Sequence, residues 1–83
     1  MITEEELKQI EQRANKAQAG PWKAFIEGID HESGSDFIMT GLGELRGEDI
    51  ELTGATTADY YFIANARQDI PLLIKEIREL RKE

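Results

Sequence analysis

Placed on a helix, Tyr60, Ala64 and Arg67 share one face. An aromatic ring and a guanidinium there flank a small residue, leaving room for a planar or anionic group. Arginine supplies charge-assisted bonds to phosphate and a ring supplies stacking. Trp22, the single tryptophan, offers a second ring, and Asn65 and Asp69 border the same stretch. Trp22, Tyr60, Asn65, Arg67 and Asp69 are therefore the candidate ligand-binding residues. A structural reading stands beside this one. Ala64 can simply let a helix approach a sheet, Arg67 can pair with Asp69 or cap carbonyls, and Trp22 can be a core anchor whose indole N–H needs a partner.

Other chemistry has little raw material. With one histidine, no cysteine and no Gly-x-Ser-x-Gly elbow, hydrolytic triads and His- or Cys-based metal centres are disfavoured. The run Asp30-His31-Glu32-Ser33-Gly34-Ser35-Asp36 collects oxygen ligands. It lacks the order of an EF-hand, and a solvated turn is the simpler reading. Gly41-Leu42-Gly43-Glu44-Leu45-Arg46-Gly47 is not a phosphate loop, because no Lys-Ser or Lys-Thr follows at the required offset. No catalytic residue, metal or cofactor is expected, and the chain reads as a non-enzyme.

The charge balance points the same way. Net charge is −7, and between Glu27 and Asp59 the only base is Arg46. Such a surface repels nucleic-acid phosphates and suits a basic protein partner, so general DNA or RNA binding is not expected. The absence of cysteine fits a reducing compartment. The N-terminal MITEEELK is acidic where a secretory signal would be basic, and no apolar run is long enough to span a bilayer. A cytoplasmic location without membrane contact follows as the expectation.

The candidate residues need elements to position them, and 83 residues, 40% of them apolar, suffice for a single domain with one modest core. Thr3 and Glu6 have capping-box spacing, and Leu7, Ile10, Ala14 and Ala17 form a narrow apolar seam. A helix over about 4–18 is predicted, stopped by Gly20 and Pro21. Trp22–Glu27, Asp36–Thr40 and Asp49–Leu52 read as three short strands between glycine-rich turns, a small antiparallel meander. Thr57 is a possible N-cap of the next helix. Pro71 can donate no hydrogen bond and disfavours helical geometry at Ile70, so that helix is predicted to break near Gln68. Asp69 then caps a last helix over about 70–83, with Ile70, Leu73, Ile74, Ile77 and Leu80 as its seam. The expected architecture is thus α+β: an N-terminal helix, a three-stranded meander, and two C-terminal helices separated by a proline corner. The two terminal seams either pack on each other or recruit a second subunit.

Ala-Gly-Pro-Trp at 19–22, Ala58-Asp59, the run from Phe62 to Leu73 and Glu76-Ile77-Arg78-Glu79-Leu80-Arg81 together resemble the small phage and prophage "ead-like" early-region accessory proteins. Their pattern runs from a helix through Gly-Pro-Trp and a variable β section to FIAxARxDxPxLLxEIxxLR. About half the chain matches, and residues 23–56 do not. The resemblance implies a bacterial virus or prophage setting, hence the cytoplasm of a bacterial host cell. By analogy, small phage proteins without catalytic residues act by binding and disabling a host component, often as oligomers.

Two functional expectations follow. In the first, copies assemble through the terminal helices and sequester a nucleotide-like signalling molecule of a host immune pathway. In the second, an acidic interaction module docks on a host protein and inhibits it.

Overall fold

The computed structural model describes residues 1–32 and 34–82. Ser33 of the acidic turn and the last residue of the predicted C-terminal helix lie outside the described residues. Thr3 starts the first helix as the spacing predicts. Its hydroxyl accepts from Glu6 N at 3.1 Å, and Glu6 Oε1 accepts from Thr3 N at 2.8 Å. α1 then spans Glu4–Lys16, ending a little before the predicted stop.

β1 (Trp22–Phe25) and β2 (Phe37–Thr40) pair antiparallel, with Trp22 opposite Thr40 and Phe25 opposite Phe37. Alternation puts Ala24 and Ile38 on the inner face, both buried, while Phe25 and Phe37 stack on the outer face at 5.2 Å. Ile26, Tyr60 and Ala64 complete this core, with Trp22, Ile50, Leu52 and Ala55 packed at its margin.

The sheet has two strands, not the expected three. Ile50 forms one antiparallel bridge to Ile38, with N–O distances of 2.8 and 2.9 Å, and pairing goes no further. Side chains have taken the neighbouring backbone groups. Tyr60 Oη accepts from Leu52 N at 2.9 Å, and its single proton lies between Leu52 O and Asp36 O, each at 3.2 Å. At the other end Thr40 Oγ1 donates to Glu48 O at 3.0 Å, and Gly47 N reaches Thr40 O. A 3-10 turn at Gly43–Leu45, not foreseen, reverses the chain after β2. Gly41 permits it: φ is +72°, and a Cβ there would overlap the Leu45 carbonyl.

The second correction concerns the C-terminal half. There is one helix, α2 (Thr57–Arg81), 25 residues long, and Pro71 sits inside it. Neither the corner at Gln68 nor a cap at Asp69 forms. The N-cap is Thr56 rather than Thr57, in a second capping box closed by Asp59 at 3.0 and 3.1 Å. Proline inside a helix costs about 3 kcal/mol through its missing N–H and the clash with the preceding turn. Packing beyond Pro71 offsets that cost. Ile74 is buried opposite α1, Arg78 bonds Glu11 Oε2 at 2.7 Å and Glu4 Oε1 at 3.3 Å, and Arg81 donates to the Ile2 carbonyl. Breaking the helix at residue 69 would forfeit this whole register. α1 and α2 therefore lie antiparallel as a hairpin, with Leu7 buried between them, and the molecule measures 51 × 28 × 19 Å.

Candidate functional site

The loop joining α1 to β1 must cross α2, and it is fastened there by consecutive residues. Gln68 Oε1 accepts from Trp22 N at 2.8 Å while its Nε2 donates to Trp22 O at 3.1 Å. Arg67 Nε donates to Gln18 O at 2.8 Å. Trp22 Nε1 lies 3.2 Å from Gln18 O and 3.1 Å from Ala19 O, a bifurcated bond that satisfies the indole. The peptide bond between Gly20 and Pro21 is cis. Gly-Pro-Trp and Arg67-Gln68 thus form the two halves of one clasp.

The clasp forms the floor of a cleft of about 320 Å³. α1 contributes Ile10, Arg13 and Ala14, with Ala17 from its C-cap; α2 contributes Ile63, Ala66, Arg67 and Ile70; Trp22 closes the end between them. Small alanines on both helices make the hollow, since a larger side chain at any of them would fill it. Among the described residues two guanidiniums line it and no carboxylate does. On a chain of net charge −7, this is a local reversal of sign. The Arg67 Nη groups make no hydrogen bond among the described residues, and no ion pair there engages Arg13 or Arg67. The volume is at the lower end for small-molecule pockets, and one side is open to solvent.

Of the predicted ligand residues, the structure brings Trp22 and Arg67 together and places the others elsewhere. Tyr60 shares the sheet-facing side of α2 and is buried in the core, its hydroxyl committed to Leu52 and Asp36. Asn65 is exposed, and its amide donates to Tyr61 O at 2.8 Å, one turn back. Asp69 is exposed and does not line the cleft. Arg13, Ile63, Ala66 and Gln68 had no signal in the sequence beyond helical periodicity, because their partners are tens of positions away.

The acidic turn has structural work. Asp30 Oδ2 accepts from Ile26 N at 2.8 Å, and Asp36 Oδ1 accepts from Glu27 N at 2.9 Å. Among the described residues no cluster of three or more His, Cys, Asp or Glu could hold a metal ion, and no helix is long and apolar enough to cross a membrane. On the opposite side of the helix hairpin a hollow of about 390 Å³ is lined by mixed charges, with Arg78 already bound to Glu11.

Comparison with known protein families, with curated proteins and with solved structures yields no match for this chain.

Proposed function

We propose that the chain is a non-enzymatic binding protein that sequesters a small, planar, anionic ligand of the nucleotide class in the Trp22–Arg67 cleft, working as an oligomer assembled through its terminal helices. The observation that carries this reading is the sign reversal: Arg13, Arg67 and a tryptophan converge on a hollow lined by no carboxylate among the described residues, in a strongly acidic chain. Guanidiniums bind phosphate oxygens by paired, charge-assisted hydrogen bonds, and an indole stacks on a base. The resemblance to ead-like proteins supports a setting in a phage-infected or lysogenic bacterium, where capture of a host immune signal would protect the phage.

The test uses the only tryptophan as its own probe. Titration with cyclic nucleotides and ADP-ribose-type nucleotides should change Trp22 emission and raise the melting temperature. A ligand at 100 times its dissociation constant adds about 2.7 kcal/mol. Arg13→Ala, which removes an exposed side chain engaged in no ion pair among the described residues, should weaken binding and leave the circular dichroism of the ligand-free chain unchanged. The reading fails if no such nucleotide moves either signal, or if Arg13→Ala binds as tightly as the parent.

A second reading rests on a different observation. Arg46, the single base between Glu27 and Asp59, is neutralised by Asp49 at 2.8 Å, leaving Glu27, Glu44, Glu48 and Glu51 exposed on the loops. Exposed carboxylates of this kind suit a basic host protein. Docking of this kind weakens steeply between low and high salt, whereas a stacked ligand in a cleft persists.

A further inference from the structure

We infer that a second copy of this chain covers the outer stripe of α2. This deepens the assembly part of the reading above and does not depend on any ligand. Ile63, Ala66, Ile70, Leu73, Ile77 and Leu80 recur at alternating three- and four-residue steps along α2, the pattern of a helix-pairing seam. The hairpin within one chain does not consume it. Ile74 and Leu7 make that contact, while Leu73 and Leu80 remain 56% and 75% exposed. Ile10 and Ile70 line both the Trp22–Arg67 cleft and an apolar hollow beside Leu73, so one continuous groove runs along the hairpin.

The area points to a subunit rather than to solvent. The chain exposes 6143 Å², whereas a folded monomer of this mass exposes about 5,000 Å². The excess, roughly 1,100 Å², is comparable to the ~800 Å² that each partner buries in a standard interface. The radius of gyration, 15.1 Å, likewise exceeds the ~12 Å of a compact chain of this length.

Charge selects the arrangement. Asp69 and Glu76 border the far edge of the stripe, and Arg13 borders the groove from α1, with Lys16 one turn further on. Laying α2 antiparallel on the partner's α2 would set acid against acid. Laying it across the partner's α1 brings Asp69 within reach of Arg13 and Lys16, and the partner helix then walls the open side of the cleft.

Sedimentation velocity and native mass spectrometry on the ligand-free chain read this directly. Twice the monomer mass of 9.4 kDa is expected at micromolar concentration; a monomer throughout that range overturns the inference. Leu73→Glu and, separately, Leu80→Glu should raise the dimer dissociation constant at least about a hundredfold, with circular dichroism unchanged because both side chains are exposed. Leu72→Glu, on another face of the same helix, should leave it unchanged. A dimer that survives both stripe variants overturns the inference. Arg13→Glu should weaken association about tenfold and Asp69→Arg on that background should restore it; failure to restore rejects the placement of α2 over the partner's α1. Because no ligand is present, a negative mass result leaves the nucleotide titration standing, and the reverse also holds.

Discussion

Trp22 Nε1 and Arg67 Nε donate to the same carbonyl oxygen, that of Gln18, at 3.2 and 2.8 Å. One acceptor at the start of the loop after α1 thus fixes an aromatic plane and a guanidinium relative to each other across 45 positions of sequence. Arg67→Ala should cost about 1 kcal/mol, because the bond is charge-assisted but exposed. Arg67→Lys should recover part of it, since an ammonium can still donate to Gln18 O, while losing the planar fork that faces the cleft. Urea denaturation of the three proteins checks this.

Gln68 grips Trp22 through both backbone groups. Gln68→Ala leaves a part-buried N–H and carbonyl unpaired, for a loss of about 2–3 kcal/mol. Trp22 emission should shift to the red as the indole gains water. An unchanged spectrum with full stability would show that the clasp is not what seats the tryptophan.

Tyr60 replaces a third strand. Tyr60→Phe retains the ring but strips Leu52 N of its acceptor, at a cost of about 1–3 kcal/mol. Hydrogen exchange at the Leu52 amide should accelerate more than at Ile38, whose amide pairs with Ile50 O at 2.8 Å.

Pro71 lies within α2 and is exposed. Pro71→Ala restores a donor to the Arg67 carbonyl and should stabilise the protein by roughly 1–3 kcal/mol, somewhat less than the full helix penalty because alanine also frees the unfolded chain. A higher melting temperature with greater helical ellipticity is the expected outcome.

Glu6 makes the α1 cap depend on pH. The Thr3 backbone N–H and then the Thr3 hydroxyl hold its carboxyl below the ordinary value of 4.5. With the folded value depressed, the cap contributes fully above the unfolded value, and the contribution fades as pH falls through the folded one. The stability difference between the parent and Glu6→Gln should therefore be level at neutral pH and shrink below about pH 4.5. A difference that grows on acidification would contradict the assigned bonds.

What the sequence determined by itself is the part written in neighbours three or four residues apart. The Thr3–Glu6 box and the start of α1 depend on such local contacts and are where the spacing puts them, whereas α1 ends at Lys16, a little before the predicted stop, and the strand at Phe37–Thr40, legible in its composition, is held by pairing with distant β1. The terminal seams were also legible, though not their use: α1 and α2 pack on each other within the chain and still leave an apolar stripe on α2. Tertiary structure decided the rest. Local rules break the helix near Gln68, ahead of Pro71, yet Ile74, Arg78 and Arg81 find partners on and just before α1 only if the helix runs on, and those contacts outweigh one lost hydrogen bond. Asp49–Leu52 has the composition of a strand, but the Tyr60 hydroxyl, arriving from another element, satisfies Leu52 first. The face shared by Tyr60 and Arg67 was correctly periodic, and the sheet took Tyr60 into the core while the α1 loop took Arg67. Periodicity states which side chains point the same way; only the packed neighbours determine what they meet there.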